Sequence, residues 1–274
     1  DVWLKLRPLA YKEHPYKWAT IGKDLLHIEQ ATIDDVKSFF ARHYNPSNAI
    51  LVVGGAVNTE DVKLLAEKWF GSIPRGAKPE RKLPAEPEQL QERREVIKAD
   101  VPLNALYMAF HMSARKDAGY YEADLISDIL SRGNASRLYV SLVKEQKVFS
   151  DINAYLTGSS DPGLFVIEGK LTAGVDTATA EAAIWEQLED LKLNVVSEKE
   201  FTKVKNKVES TMVFAEMSLL DKAMNLAFFE LMGNAADLNS EVQKYLVLTP
   251  TDILRRANKI FRKENSSTLL YLAN

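Results

Sequence analysis

The amino-acid sequence predicts an α+β protein with a mixed or antiparallel sheet covered by helices. Three observations predict it. Strand-like and helix-like segments come in blocks and not in strict alternation. Two apolar runs flank a Gly-Ser-Ser-Asp-Pro-Gly turn at 158–163, the pattern of a hairpin. A capped helix, a short polar break and an apolar strand-like run occur in that order twice, near the start and at the end of the chain.

Composition sets the bounds. The chain has 274 residues, 46% of them hydrophobic and 27% charged, which is ordinary for a globular protein with a sizeable core. The length exceeds one ordinary domain and suits one and a half or two. There is no cysteine, so disulfides and thiolate metal sites are excluded. The formal net charge is -3 and no basic stripe occurs, which argues against a nucleic-acid partner. The longest apolar runs, such as 49–53, are too short to span a membrane. The opening Asp1-Val2-Trp3-Leu4 has neither an initiator Met nor a signal peptide and reads as a start in mid-protein.

Each element follows from local pattern. Thr32 caps a helix with Asp35 at the capping-box position, and Val36, Phe39, Phe40 and Tyr44 recur at helical spacing. Asn45-Pro46-Ser47-Asn48 breaks it. Residues 49–53 form an unbroken apolar run, read as a strand buried on both faces and ended by Gly54-Gly55. Asn58 or Thr59 caps a second helix through Trp69 and Phe70, with Gly71 as the stop. Between 72 and 92, Pro74, Pro79, Pro84 and Pro87 sit among charged residues, which reads as an extended surface linker. Strands are expected at 95–99 and 105–112, then helices from Tyr121 to near Gly133 and from Ser136 onward. The hairpin covers 152–156 and 164–171. Helices at 179–193, from Ser197 to about 215, at 219–232, 239–245 and 251–262 precede a last strand at 268–272. The expected domains are 1–71, the end of a first domain, then the linker at 72–92, then a second domain at 93–274.

The repeat is specific at the residue level. At a constant offset Thr32 meets Thr249, Asp35 meets Asp252, Tyr44 meets Phe261, Asn48 meets Asn265 and Val52 meets Leu269. The shift is about the length of one large domain, so a duplicated domain is the simplest account.

Residue chemistry alone gives no catalytic centre. The four histidines, His14, His27, His43 and His111, include no pair three or four residues apart, so no helix face carries two zinc ligands. No Gly-x-Ser-x-Gly elbow occurs. Gly54-Gly55 lacks the third glycine of a dinucleotide fingerprint. Gly133-Asn134-Ala135-Ser136 joins two helices, either as a turn or as a close approach to a peptide, with Arg132 and Arg137 beside it. The many helix carboxylates read as solvated faces.

Several segments resemble one family. His14-Pro15-Tyr16 and the stretch 44–54 resemble the close of the catalytic domain in the pitrilysin/insulinase family of zinc metallopeptidases, which includes the mitochondrial processing peptidases. Ser136-Arg137-Leu138-Tyr139, and Asp161-Pro162-Gly163-Leu164-Phe165, resemble the domain that follows. The resemblance covers nearly the whole chain and implies a two-domain metallopeptidase half with its first domain truncated. It implies a fragment of a zinc-dependent endopeptidase that cleaves peptides in an enclosed chamber. This part would form chamber wall and pairing surface, with a second half or subunit as partner. The alternative is a non-catalytic partner subunit or scaffold of the same family. The family's H-x-x-E-H zinc motif would lie before Asp1. No catalytic or metal residue is therefore assigned here, and zinc is expected only in the intact parent. Ser136 and Arg137 are the candidate substrate contacts. In many members the helix after the Ser-Arg-Leu-Tyr signature carries an Arg and, seven residues on, a Tyr; here Val143 and Ser150 stand there. The resemblance leaves the compartment at bacterial cytoplasm or periplasm.

Overall fold

The computed structural model describes residues 2–274, so Asp1 lies outside the described residues. The chain forms two compact units. The first comprises Asp1–Ala19, Pro84–Val208 and Gln243–Asn274, and the second Thr20–Leu83 and Glu209–Val242. These units cut across the boundaries read from the sequence. Residues 2–19 belong with the sheet of the first unit, and 209–242 belong with 20–83.

The first unit is built on a five-stranded sheet: β1 (Arg93–Ala99), β2 (Ala105–His111), β3 (Phe149–Leu156), β4 (Leu164–Leu171) and β5 (Ser266–Ala273). The spatial order is β1-β5-β2-β4-β3. β1 and β5 run parallel and the other pairs antiparallel, so the sheet is mixed as expected. β3 and β4 form the expected hairpin, with Leu156 opposite Phe165 at its closed end. Helices α5 (Ala118–Ser131), α6 (Thr177–Leu193) and α10 (Pro250–Ile260) pack on one face. There Phe110 of β2 meets Trp185 of α6 and Phe261 edge-on, and Phe165 of β4 meets Phe261 as well. Edge-to-face pairs add to the burial of apolar area.

The opposite face carries α1 (Val2–Ala10), a helix the sequence pattern did not announce. Its Leu6 and Ala10 are fully buried in a cluster with Ala109, Val166 and Leu269. Both faces of β2 and β4 are thereby covered, which is why both read as near-continuous apolar runs. A π-helical turn (Tyr139–Glu145) stands where the sequence suggested an α-helix after Ser136. α7 (Glu198–Ala215) begins in this unit, and α9 (Glu241–Leu246) precedes α10.

The second unit contains α2 (Leu26–Glu29), α3 (Ile33–His43), α4 (Thr59–Phe70) and α8 (Leu219–Met232). Asn58 caps α4 by accepting the N–H groups of Glu60 and Asp61. The glycine turn after the apolar run has a packing reason. A side chain at Gly54 would press on Leu219 of α8, and Gly55 has φ +147, in the region that favours glycine.

The internal repeat extends to individual hydrogen bonds. Both α3 and α10 open with a complete capping box. Thr32 Oγ1 accepts from Asp35 N at 3.2 Å while Thr32 N donates to Asp35 Oδ2 at 2.9 Å. Thr249 and Asp252 repeat this at 3.3 and 2.9 Å. Both helices end on a residue of similar backbone, Tyr44 at φ -102, ψ 68 and Phe261 at φ -87, ψ 61. A one-turn 3-10 helix follows each. Asn48 Nδ2 then donates to His43 O and, at the equivalent place, Asn265 Nδ2 donates to Ile260 O, both at 2.9 Å.

The two copies part at the strand. Residues 266–273 become β5 because β1 and β2 flank them. Residues 49–53, expected as a doubly buried strand, belong to no sheet; Ile50 is 40% and Leu51 61% exposed. An apolar run becomes a strand only where another backbone completes its ladder, and among the described residues none does so here. The helices diverge in the same way. α10 buries Ile253, Ala257 and Ile260, whereas α3 and α4 leave Phe39, Phe40, Leu65 and Trp69 more than half exposed.

Candidate functional site

The two short motifs that carried the resemblance meet in the first unit. His14 is buried, and its Nδ1 accepts the backbone N–H of Tyr16 at 3.2 Å. The ring proton therefore sits on Nε2, which donates to Asp161 Oδ2 at 3.2 Å. Tyr11 Oη donates to Pro162 O, and Asp161 N donates to Tyr16 Oη. Glu86 closes the cluster from the proline-rich segment. Its carboxylate accepts the N–H groups of Lys12, Glu13 and His14 at 2.8 to 2.9 Å. Burial works against the charge on Glu86, but these three bonds outweigh it and hold the carboxyl below its usual range.

His111 sits beside this cluster with Nε2 2.9 Å from Ala10 O and its ring edge-on to Tyr11. Burial pushes its pKa down, opposed by Ala10 O and Glu86 and aided by Arg93. A histidine depressed in the folded state stabilises fully above its unfolded pKa of about 6.5, and that stability fades as pH falls toward the folded value. Urea midpoints measured from pH 8 to pH 5 are therefore expected to fall more steeply for the wild type than for His111→Gln. Parallel profiles would contradict this.

The Ser131–Arg137 loop turns at Gly133, whose φ of +86 requires glycine. Ser136 is fully buried, and its Oγ has no hydrogen-bond partner. Arg137 is 18% exposed. It donates through Nε and Nη2 to the two carboxylate oxygens of Glu200 and through Nη1 to Asp190 Oδ2, at 2.6 to 3.0 Å. Burial disfavours its charge, and Glu200 and Asp190 more than restore it. This fork ties the chain entering the π-helical turn to α6 and α7. Val143 lies within that turn and Ser150 at the start of β3, where Ser150 Oγ donates to Lys170 O.

A cavity of about 400 Å³ lies between α5 and β3. Asp124, Ser127, Asp128, Ser131 and Arg132 line one side, and residues 153–156 the other. The sequence reading treated helix carboxylates as solvated, and α5 corrects this: Glu122 and Asp128 are 4% and 5% exposed. Glu122 is held by Arg255 and Arg256 of α10. The signal was present in the sequence. Both acids are interleaved with Tyr121, Leu125, Ile126, Ile129 and Leu130, which leaves α5 no broad polar face.

The described residues do not fit a zinc site. No group of three or more His, Asp or Glu is placed to hold a metal ion. Both His14 nitrogens are engaged, and His111 Nε2 faces a carbonyl oxygen. Among the described residues no helix is long and apolar enough to cross a membrane.

A mixed sheet covered by helices, preceded by a second copy of its closing helix and turn, defines an α+β protein with an internal repeat. A family model described as the peptidase M16 inactive domain matches residues 30–208, and the chain belongs to that family. This bears out the pitrilysin/insulinase resemblance. The chain is 28% identical over 265 residues to the zinc protease PqqE of Helicobacter pylori, covering 95% of this chain and 59% of that protein. It superposes on a crystal structure of a protease from Helicobacter pylori with a TM-score of 0.89 at 27% identity, over 98% of this chain and 66% of that one. A peptidase M16 inactive domain from Pseudomonas fluorescens has the same fold, with a TM-score of 0.85 at 21% identity, over 99% of this chain and 64% of that one. The chain thus spans about three-fifths of the curated relatives it matches, 59% and 64% of the first two.

Proposed function

We propose that this chain is part of a zinc-dependent endopeptidase that cleaves peptides in an enclosed chamber. In this reading it forms chamber wall and pairing surface, and the zinc site lies elsewhere in the whole protein. The observation that carries the pairing role is the apolar surface of the second unit. Phe39, Phe40, Leu64, Leu65 and Trp69 are 53 to 71% exposed on α3 and α4, although the equivalent α10 buries its own apolar stripe. Large apolar side chains left exposed at this density on two helices fit a face that a partner covers. The longer zinc-protease relatives supply the prior for the chemistry. Ser136 and Arg137 enter as proposed substrate contacts, which for the fully buried Ser136 requires the 131–137 loop to open. For Arg137 this means exchanging Glu200 or Asp190 for a substrate carboxylate, since its donors are now committed to them.

Zinc content and peptide cleavage of the whole protein, measured beside this chain, test the proposal. One zinc per whole protein with cleavage, and neither in this chain, is expected. Neither in the whole protein would replace this reading with a non-catalytic partner or scaffold.

A further inference from the structure

We propose that the cavity between α5 and β3 is a binding site for a basic side chain of a polypeptide, the ammonium of a lysine or the guanidinium of an arginine. The inference rests on the geometry of the first unit and not on the whole protein's peptidase activity.

The argument starts from Asp128. Its side chain is 5% exposed, and Oδ1 accepts from Arg132 Nη1 at 3.2 Å. Oδ2 is buried and has no hydrogen-bond partner. A buried carboxylate oxygen without a donor is costly, because it has given up water and gained nothing in return. Burial raises the pKa of Asp128 accordingly, Arg132 and Lys207 offset part of the shift, and Asp124 adds to it.

The hydroxyls that line the cavity do not answer this need. Ser127 Oγ donates to Asp124 O, and Ser131 Oγ donates to Ala154 O at 2.8 Å. Asp124 accepts from Tyr245 Oη at 2.7 Å. The Asp128 carboxylate is thus left with one charged hydrogen-bond partner, Arg132, which is 47% exposed. A ligand here must bring N–H donors and positive charge.

The opposite wall says what carries that charge. It is residues 153–156 of β3, the terminal strand of the sheet. A terminal strand is where an extended polypeptide can lie, and its side chains then fall into neighbouring pockets. A volume of about 400 Å³ accommodates one such long side chain.

The test uses a fluorescent peptide, acetylated and amidated at its ends, with one central arginine. Its control carries citrulline, which keeps the shape and loses the charge. Binding to this chain is read by fluorescence anisotropy. The arginine peptide is expected to bind at least tenfold more tightly than the citrulline peptide. Asp128→Asn is expected to erase the preference while keeping or raising Tm. Arg132→Ala, on the exposed rim, is expected to strengthen arginine binding, because it frees Oδ1. Equal binding of the two peptides, no binding of either, or a preference that survives Asp128→Asn would overturn the proposal. So would Arg132→Ala weakening the binding.

Discussion

Phe261→Ala is expected to destabilise the first unit by about 3–5 kcal/mol, while Tyr44→Ala, its counterpart in the repeat, changes stability by roughly half a kcal/mol or less, as exposed substitutions do. The two residues occupy the same place in the same local structure, after a capping-box helix and before a one-turn 3-10 helix. Phe261 is fully buried and touches Phe110 and Phe165 edge-on, with ring centroids 5.3 and 5.0 Å away. Its removal leaves a cavity between the sheet and α10. Tyr44 is 65% exposed and stacks only on neighbouring helix residues, with Phe40 at 4.9 Å. Urea unfolding of both variants gives the comparison. Similar losses from the two substitutions would show that the copies are equally packed and would remove the basis for an open face.

Glu122→Ala is the second large effect. Glu122 is 4% exposed on α5. Arg255 Nη2 donates to its Oε1 at 2.6 Å, and Arg256 Nε donates to Oε2. Arg256 is itself 12% exposed and also donates to Ser113 Oγ. Removing the carboxylate leaves a buried guanidinium without its counter-charge, which costs about 3–5 kcal/mol where such pairs have been broken. Replacing Glu122 and its buried partner with apolar residues, Glu122→Leu with Arg256→Met, is expected to recover much of the loss, because no buried charge is left unpaired and Arg255 is 65% exposed and still paired with Asp252. Urea midpoints of the single and double variants check this. A single variant as stable as the wild type would mean that the pair contributes nothing. Gly119 belongs to the same contact: a side chain there would collide with the Arg256 guanidinium.

The legible and illegible parts of the fold divide along physical lines. What depends on neighbours in sequence could be read. The capping boxes at Thr32 and Thr249, the Asn58 cap, the Gly71 stop and the hairpin around 158–163 all appear as expected, since each is fixed within a few residues. What depends on distant partners could not be. The run at 49–53 has the composition of β5 but meets no ladder, so its apolar character gave a strand that is absent here. α1 escaped notice because it is only nine residues long, too short to show a clear helical period, and Pro8 stands near its end. Asp128 lies against β3, more than twenty residues away, and the local trace of its burial is the run of apolar residues interleaved with it on α5. The compact units likewise follow contacts, not the proline-rich segment. Glu86 and Gln89 within that segment are bonded into the first unit, to the backbone of residues 12–14 and to Ser266.

In the function proposed above, the finished copy of the repeated unit stands alone and the open copy is completed by the rest of a longer protein. Hydrogen exchange at the backbone amides of 50–53 and 269–272 tests it most directly, in this chain and in the whole protein. Slow exchange is expected at 269–272 in both. At 50–53, fast exchange is expected in this chain and slow exchange in the whole protein. Protection at 50–53 in this chain, or its absence in the whole protein, would show that the second copy is not left open for a partner.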